Sequence, residues 1–219
     1  MSNNKKLIWD IPTRLFHWAI VISLCYSWYS MEQSNLDHHF LSGYTALALI
    51  LFRIIWGFIG SRYAKFGSFI YKPSEYIAYL KTFFKRGDGK YAGHNPMGGL
   101  SVLALLLVIL IQTGTGMFAD DEYYYFAPLN DYVSGSTAGR ITEFHGINAK
   151  VIFGLAILHI LVIVFYRLFK KEKLTLAMIT GKKPDDQDRY EPIPGSRLKT
   201  AIVLAVIVSA AVYAIVNYL

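Results

Sequence analysis

Two histidines inside one apolar run, His145 and His159, stand fourteen residues apart. An α-helix turns about 100° per residue, so fourteen residues fall about 40° short of four full turns. Both imidazoles therefore share one face of the helix, about 21 Å apart along its axis. A hydrocarbon core is about 30 Å thick. One imidazole near each membrane surface, facing the same way, suits two stacked redox cofactors better than a single site. Neutral imidazole brings no charge into lipid and is a common metal ligand, and haem iron takes axial nitrogens of this kind.

The elements that must position these rings are membrane helices. Of the 219 residues, 54% are hydrophobic and only 17% charged, with a mean hydropathy of +0.34. Charge this sparse argues against a soluble domain, and the 16% aromatic content suits interfacial belts and flat cofactor walls. Five apolar runs follow one another: Leu15–Met31, His39–Ile59, Met97–Phe118, Ile141–Phe169 and Ala201–Tyr218. Each is long enough to cross a bilayer, and in lipid the backbone must pair with itself, so each is expected as a helix. Lys5 and Lys6 precede the first run, but Tyr29, Met31 and Glu32 stand where a cleavage site needs small residues. That run therefore reads as a retained helix.

The net charge of +7 follows membrane orientation rather than nucleic-acid binding. Basic residues gather at the N-terminus (Lys5, Lys6, Arg14), between the second and third runs (from Arg62 to Lys90) and before the last run (from Arg167 to Lys199). The alternate loops are acidic, with Glu32 and Asp37 in one and Asp120, Asp121, Glu122 and Asp131 in the other. By the positive-inside rule the N-terminus is cytoplasmic and the C-terminus outside. Within the basic loop, Pro73-Ser74-Glu75 opens an amphipathic stretch with Tyr76, Ile77, Leu80, Phe83 and Phe84 at helical spacing. It is expected as a helix on the cytoplasmic surface, ended by Gly87-Asp88-Gly89.

That topology sorts the remaining histidines by depth. His17 and His159 fall toward the cytoplasmic side, and His39 and His145 toward the outside, giving two candidate ligand pairs from three helices. His39 is preferred to its neighbour His38 because Gly43 follows it one turn on, on the same face. Glycines 43, 146 and 154 lie near the ligand positions, and small residues let a ring or a backbone approach closely. Intramembrane ionisable groups tend to be functional, although a lone interfacial histidine is usually a polar anchor. His94 opens Gly-His-Asn-Pro before the third run; it reads as a cap, an anchor, or a contact to a haem propionate or a quinone. Arg14 and Arg62 are candidates to pair a propionate. The only cysteine, Cys25, excludes an internal disulfide, and no Cys-x-x-Cys-His is present, so a haem here would be b-type.

These residues resemble the bacterial cytochrome b-561 and nickel–iron hydrogenase b-type cytochrome family. The matching pieces are Trp9-Asp10, Arg14-Leu15-Phe16-His17-Trp18, His39-Phe40-Leu41-Ser42-Gly43-Tyr44, Phe52-Arg53-Ile54-Ile55-Trp56-Gly57-Phe58, Gly93-His94-Asn95-Pro96-Met97-Gly98, and His145-Gly146 followed by His159. They cover roughly residues 7–170. The resemblance implies a four-helix bundle that holds b haems on His17, His39, His145 and His159. It also implies electron transfer between a quinone pool and a partner outside the membrane.

The expected protein is thus an all-α integral membrane chain: a four-helix haem-binding transmembrane bundle plus a fifth C-terminal transmembrane helix. Its parts are a cytochrome b domain over 1–170, a cytoplasmic linker over 171–199 and an added helix over 200–219. The expected cofactors are two haem b groups, with quinone as substrate and no separate catalytic residue. Membrane lipid surrounds it, and the site is the bacterial cytoplasmic membrane. The partner is a periplasmic c-type cytochrome, which the acidic outer loop would attract, or a hydrogenase-like subunit. The fifth helix, which the core does not need, is available for a subunit contact, including a homo-oligomer. Two other readings stay open: a stand-alone superoxide:quinone oxidoreductase, and a haem-free membrane scaffold.

Overall fold

The computed structural model describes residues 5–85, 91–120, 125–185 and 190–218. In chain order the elements are β1 (Lys5–Leu7), α1 (Ile11–Glu32), α2 (Leu36–Ile59), α3 (Pro73–Lys81), α4 (Pro96–Gly116), α5 (Gly135–Phe165), a π-helical turn (Tyr166–Lys170), α6 (Leu174–Thr180), β2 (Lys182–Pro184) and α7 (Leu198–Tyr218). All five expected apolar runs are helical. Four helical stretches are long and apolar enough to cross a membrane: α2, α4, α5 with its π turn, and α7. α1 has the length, at 22 residues, but Thr13, Arg14, His17, Ser23, Ser27 and Ser30 dilute its apolar character.

The helix ends have local causes. Asp10 caps α1, accepting the Thr13 N–H at 2.8 Å, and Pro12 sits in the first turn, where no intrahelical donor is needed. Ser34, at φ 54°, reverses the chain before Asn35 caps α2 through the His38 N–H. Asn95 caps α4, accepting from Gly98 N at 2.8 Å, with Pro96 first in the helix. α5 starts at Gly135, six residues before the apolar run, because the Ser134 hydroxyl accepts the Thr137 N–H. α3 ends at Lys81, so Phe83 and Phe84 lie in a turn rather than on the helix. Gly87-Asp88-Gly89 lie outside the described residues.

The chain forms two compact units. The first gathers Met1–Leu15, Ile55–Ala104 and Ala156–Ala201. In it β1 pairs antiparallel with β2, Lys5 opposite Pro184 and Leu7 opposite Lys182. Ile8 and Trp9 pack with Ala177 and Tyr190 in a small core that Tyr63, Ala92 and Met178 cover. Gly181 ends α6 at φ 80°, and a Cβ there would meet the Trp9 carbonyl oxygen at 2.7 Å. Glycine is thus required both by the left-handed backbone and by the close approach. The Gly181 carbonyl accepts the N–H groups of Ile8 and Trp9. Fully buried Asp10 uses its second oxygen for the Trp56 indole N–H at 3.1 Å.

The second unit gathers Phe16–Ile54, Leu105–Leu155 and Ile202–Leu219. In it the Ser23 hydroxyl donates to the Ser42 carbonyl at 2.8 Å, joining α1 to α2. Trp28 of α1 stacks on Phe153 of α5 at 5.2 Å between ring centres. Asn148 of α5, nearly fully buried, donates to the Val108 carbonyl of α4 at 2.9 Å.

Candidate functional site

In the second unit His39 of α2 and His145 of α5 face each other, their ring centres 6.2 Å apart and their planes at 80°. Their outer nitrogens are engaged. His39 Nδ1 lies 3.0 Å from the Ser27 carbonyl oxygen and 3.1 Å from its hydroxyl. The carbonyl can only accept, so Nδ1 carries the proton and Nε2 is left as the basic nitrogen. His145 Nδ1 lies 3.1 Å from the Thr115 hydroxyl, and that hydroxyl donates to the Ile111 and Gln112 carbonyls at 2.8 and 3.0 Å. A hydroxyl that has spent its proton accepts, so His145 Nδ1 also carries a hydrogen. Holding the outer ring nitrogen in this way fixes tautomer and orientation in metal-ligating histidines. His145 Nε2 meets the Gln112 amide nitrogen at 2.9 Å, and the Gln112 carbonyl accepts from Asn148 at 2.8 Å.

The separation of the two rings leaves room for an ion held by one imidazole from each side, once His145 Nε2 gives up its contact with the Gln112 amide. Beside the pair, a Cβ on Gly43, Gly114 or Gly146 would meet no atom within 4 Å, whereas one on Gly116 would meet His145 Cε1 at 3.0 Å. The residues present therefore fit a b haem: two neutral nitrogen ligands, small residues around them and apolar helices behind. Among the described residues there is no group of three or more His, Cys, Asp or Glu side chains placed to hold a metal ion.

The other expected residues lie as follows. His38 does not join the pair; its Nδ1 is 2.6 Å from the Tyr26 hydroxyl, at the exposed end of α2. His17 sits half-buried on α1 with Trp18 edge-on at 4.9 Å. His159 sits half-buried on α5. His17 and His159 belong to different units, so the facing arrangement described for His39 and His145 is one of two expected pairs. Arg14 donates through Nη1 to the Ile179 carbonyl and ties α1 to α6. The His94 ring lies between Trp9 at 4.7 Å and Phe69 at 4.9 Å, and its carbonyl accepts the Tyr71 hydroxyl at 2.7 Å. Arg62 pairs with Glu191.

Around His94 the first unit is rich in phenols. Burial, with Tyr91, Glu75 and Tyr76 nearby, pushes Tyr71 up to about 12. Tyr79 is raised further, first by burial and then by its hydrogen bond to Tyr166. Lys183 Nζ donates to the Tyr91 carbonyl at 3.0 Å, and burial lowers its pKa. Lys170, also buried, has its ammonium over the rings of Phe83, Tyr166 and Tyr79 at 5.2 to 5.5 Å.

Sequence reasoning missed Ser27, Gln112, Thr115 and Asn148, the polar neighbours of the histidine pair. The signal was present: Gln112 and Thr115 interrupt an apolar run, and Asn148 follows His145 by three residues, on the same face.

A helical membrane chain with a facing histidine pair and no covalent attachment motif is a non-covalent haem protein by design. Residues 8–181 match the prokaryotic cytochrome b561 family, and the chain belongs to that family. It is a multi-pass membrane b-type cytochrome that transfers electrons. Among its relatives, the probable Ni/Fe-hydrogenase 1 B-type cytochrome subunit of Escherichia coli K12 is 23% identical, covering 80% of this chain and 88% of the relative. The probable Ni/Fe-hydrogenase B-type cytochrome subunit of Azotobacter vinelandii is 24% identical over 52% of this chain and 59% of the relative. The one from Rhizobium leguminosarum bv. viciae is 23% identical over 66% of each. No solved structure matches the chain significantly.

Proposed function

We propose that this chain is a di-haem cytochrome b of the bacterial cytoplasmic membrane, moving electrons between the quinone pool and a periplasmic redox partner. His39 and His145 hold one haem, and His17 and His159 the other. α1 crosses the membrane with α2, α4 and α5, the N-terminus is cytoplasmic and the C-terminus periplasmic. Residues 1–170 form the cytochrome, 171–199 a cytoplasmic connection, and 200–219 an added helix.

The facing pair at 6.2 Å is the observation that carries this reading. Bound haem supplies one-electron chemistry that amino-acid side chains lack. The chain's own residues set its conditions. Ser27 and Thr115 orient the two imidazoles, neutral ligands keep net charge out of the lipid, and the apolar helices exclude water and lower the local dielectric. The curated relatives are named as hydrogenase cytochrome subunits, which favours a hydrogenase-like partner over a c-type cytochrome. Arg14 and His94 are the residues proposed to reach a propionate or a quinone head group.

The test is a reduced-minus-oxidised spectrum with haem counted per chain, for wild type, His145→Ala and His159→Ala. Two b haems in the wild type and one in each variant are expected. One haem in the wild type, retained in His159→Ala, overturns the di-haem reading. A colourless wild type overturns the function.

A further inference from the structure

At the basic end of α5 a cavity of about 390 Å³ is lined by Arg167, Lys173, Leu174, Thr175, Leu176 and Ile179. We propose that it binds an acidic phospholipid: a phosphodiester on Arg167 and Lys173, and an acyl chain along Leu174, Leu176 and Ile179.

The cavity is built by a chain reversal. The membrane-spanning helix runs through its π turn to Lys170, and Lys171 then takes a left-handed conformation at φ 62°, its N–H donating to the Tyr166 carbonyl. The Glu172 N–H reaches the same carbonyl at 3.1 Å. The chain thus doubles back, so that Lys173 and the short helix α6 line one cavity with Arg167. Arg14 holds α6 in place by donating to the Ile179 carbonyl.

The lining carries two cations, one hydroxyl, three leucine or isoleucine side chains and no acid. Arg167 and Lys173 are exposed, and so are Leu176 (48%) and Ile179 (55%). A cavity this size is in the usual range for small-molecule sites, and its mixed lining matches an amphiphile rather than a free ion. A guanidinium takes two phosphate oxygens in a fork and an ammonium a third. The end of a membrane-spanning helix lies at head-group depth, where basic pockets meet anionic lipid. The inference needs only that α5 spans a membrane; it does not depend on which histidines hold haem.

The experiment uses the full chain, purified with its haem in mild detergent and titrated by native mass spectrometry with phosphatidylglycerol, phosphatidylcholine or inorganic phosphate. Wild type is expected to prefer phosphatidylglycerol over phosphatidylcholine by about tenfold or more, because the choline ammonium neutralises its own phosphodiester and is repelled by Arg167 and Lys173. Arg167→Gln with Lys173→Gln is expected to abolish that preference, and the control Lys65→Gln with Lys81→Gln to keep it. Leu176→Ser with Ile179→Ser is expected to weaken both lipids alike. Equal binding of the two lipids by wild type, or a preference that survives Arg167→Gln with Lys173→Gln, overturns the proposal. Displacement of the lipid by an equal concentration of inorganic phosphate overturns it too, in favour of a simple anion site.

Discussion

His39 and His145 sit on different helices, with ring planes at 80° and centres 6.2 Å apart. Each is held from behind by an oxygen, a backbone carbonyl for His39 and a threonine hydroxyl for His145. Removal of either ring breaks the same pair. His39→Ala and His145→Ala are each expected to lose one haem of two, and the double variant no more than one. His38→Ala, which breaks only the contact to Tyr26, is expected to keep both. Haem per chain by pyridine haemochrome checks this, and loss in His38→Ala with retention in His39→Ala would reverse the ligand choice.

The Thr115 hydroxyl accepts from His145 Nδ1, which would make the ring a more basic ligand. Thr115→Val keeps the shape and removes the acceptor. Haem affinity is expected to fall roughly 10- to 100-fold, the usual effect of losing such a partner. The midpoint potential of that haem is expected to rise, because a weaker donor favours the reduced iron. Thr115→Ser is expected to restore both. A redox titration and a haem-transfer assay read the two effects separately.

A side chain on Gly116 would crowd His145, since its Cβ would stand 3.0 Å from His145 Cε1. Gly116→Val is expected to swing the ring away and abolish the low-spin spectrum of one haem while helix content by circular dichroism stays unchanged. Gly139→Ala, six residues before His145 on α5 with nothing within 4 Å of its Cβ, is expected to be tolerated. Equal loss in both variants would mean that general helix packing, not the ring, is disturbed.

Asp10 joins a cap to a tertiary contact, accepting from Thr13 N–H and from the Trp56 indole. Asp10→Ala strips both and is expected to cost about 2–4 kcal/mol of stability. Asp10→Asn keeps one acceptor and is expected to cost less. Thermal unfolding in detergent, followed by loss of the Soret band, ranks the variants; an Asp10→Ala midpoint equal to wild type would refute the role.

Tyr71 supplies a dependence on alkaline pH. Its folded pKa of about 12 is above the unfolded value of 10.0. The stability linked to it is complete below pH 10.0 and lost as pH rises through about 12. Wild type is expected to lose thermal stability across that window, and Tyr71→Phe to start lower, without the bond to His94, but to fall less steeply. Parallel slopes would assign the fall to other groups.

Much of this was legible in the sequence. Apolar length marks all five long helices, and depth matching sets His39 opposite His145. His39, the ring that Gly43 favours, faces His145, whereas His38 meets Tyr26. The oxygens behind the rings were not foreseen, because a hydroxyl or amide inside an apolar run does not reveal which neighbour it faces. The strands β1 and β2, three residues each, are too short for alternation to register, and their pairing joins the start of the chain to residues far along it. Lys171 adopts a left-handed turn that sequence rules reserve for glycine, so the reversal that builds the cavity beside Arg167 gave no local warning.

That clasp between β1 and β2 orders events during synthesis. Leu7 leaves the ribosome early, but its ladder partner Lys182 and the Ile193 amide that donates to its carbonyl follow on the order of ten seconds or more later, at usual elongation rates. By then the helices through α5 have been made. The first compact unit therefore closes only after the helices through α5 have been synthesised, and a nascent chain halted before β2 holds its histidine-bearing helices without the clasp.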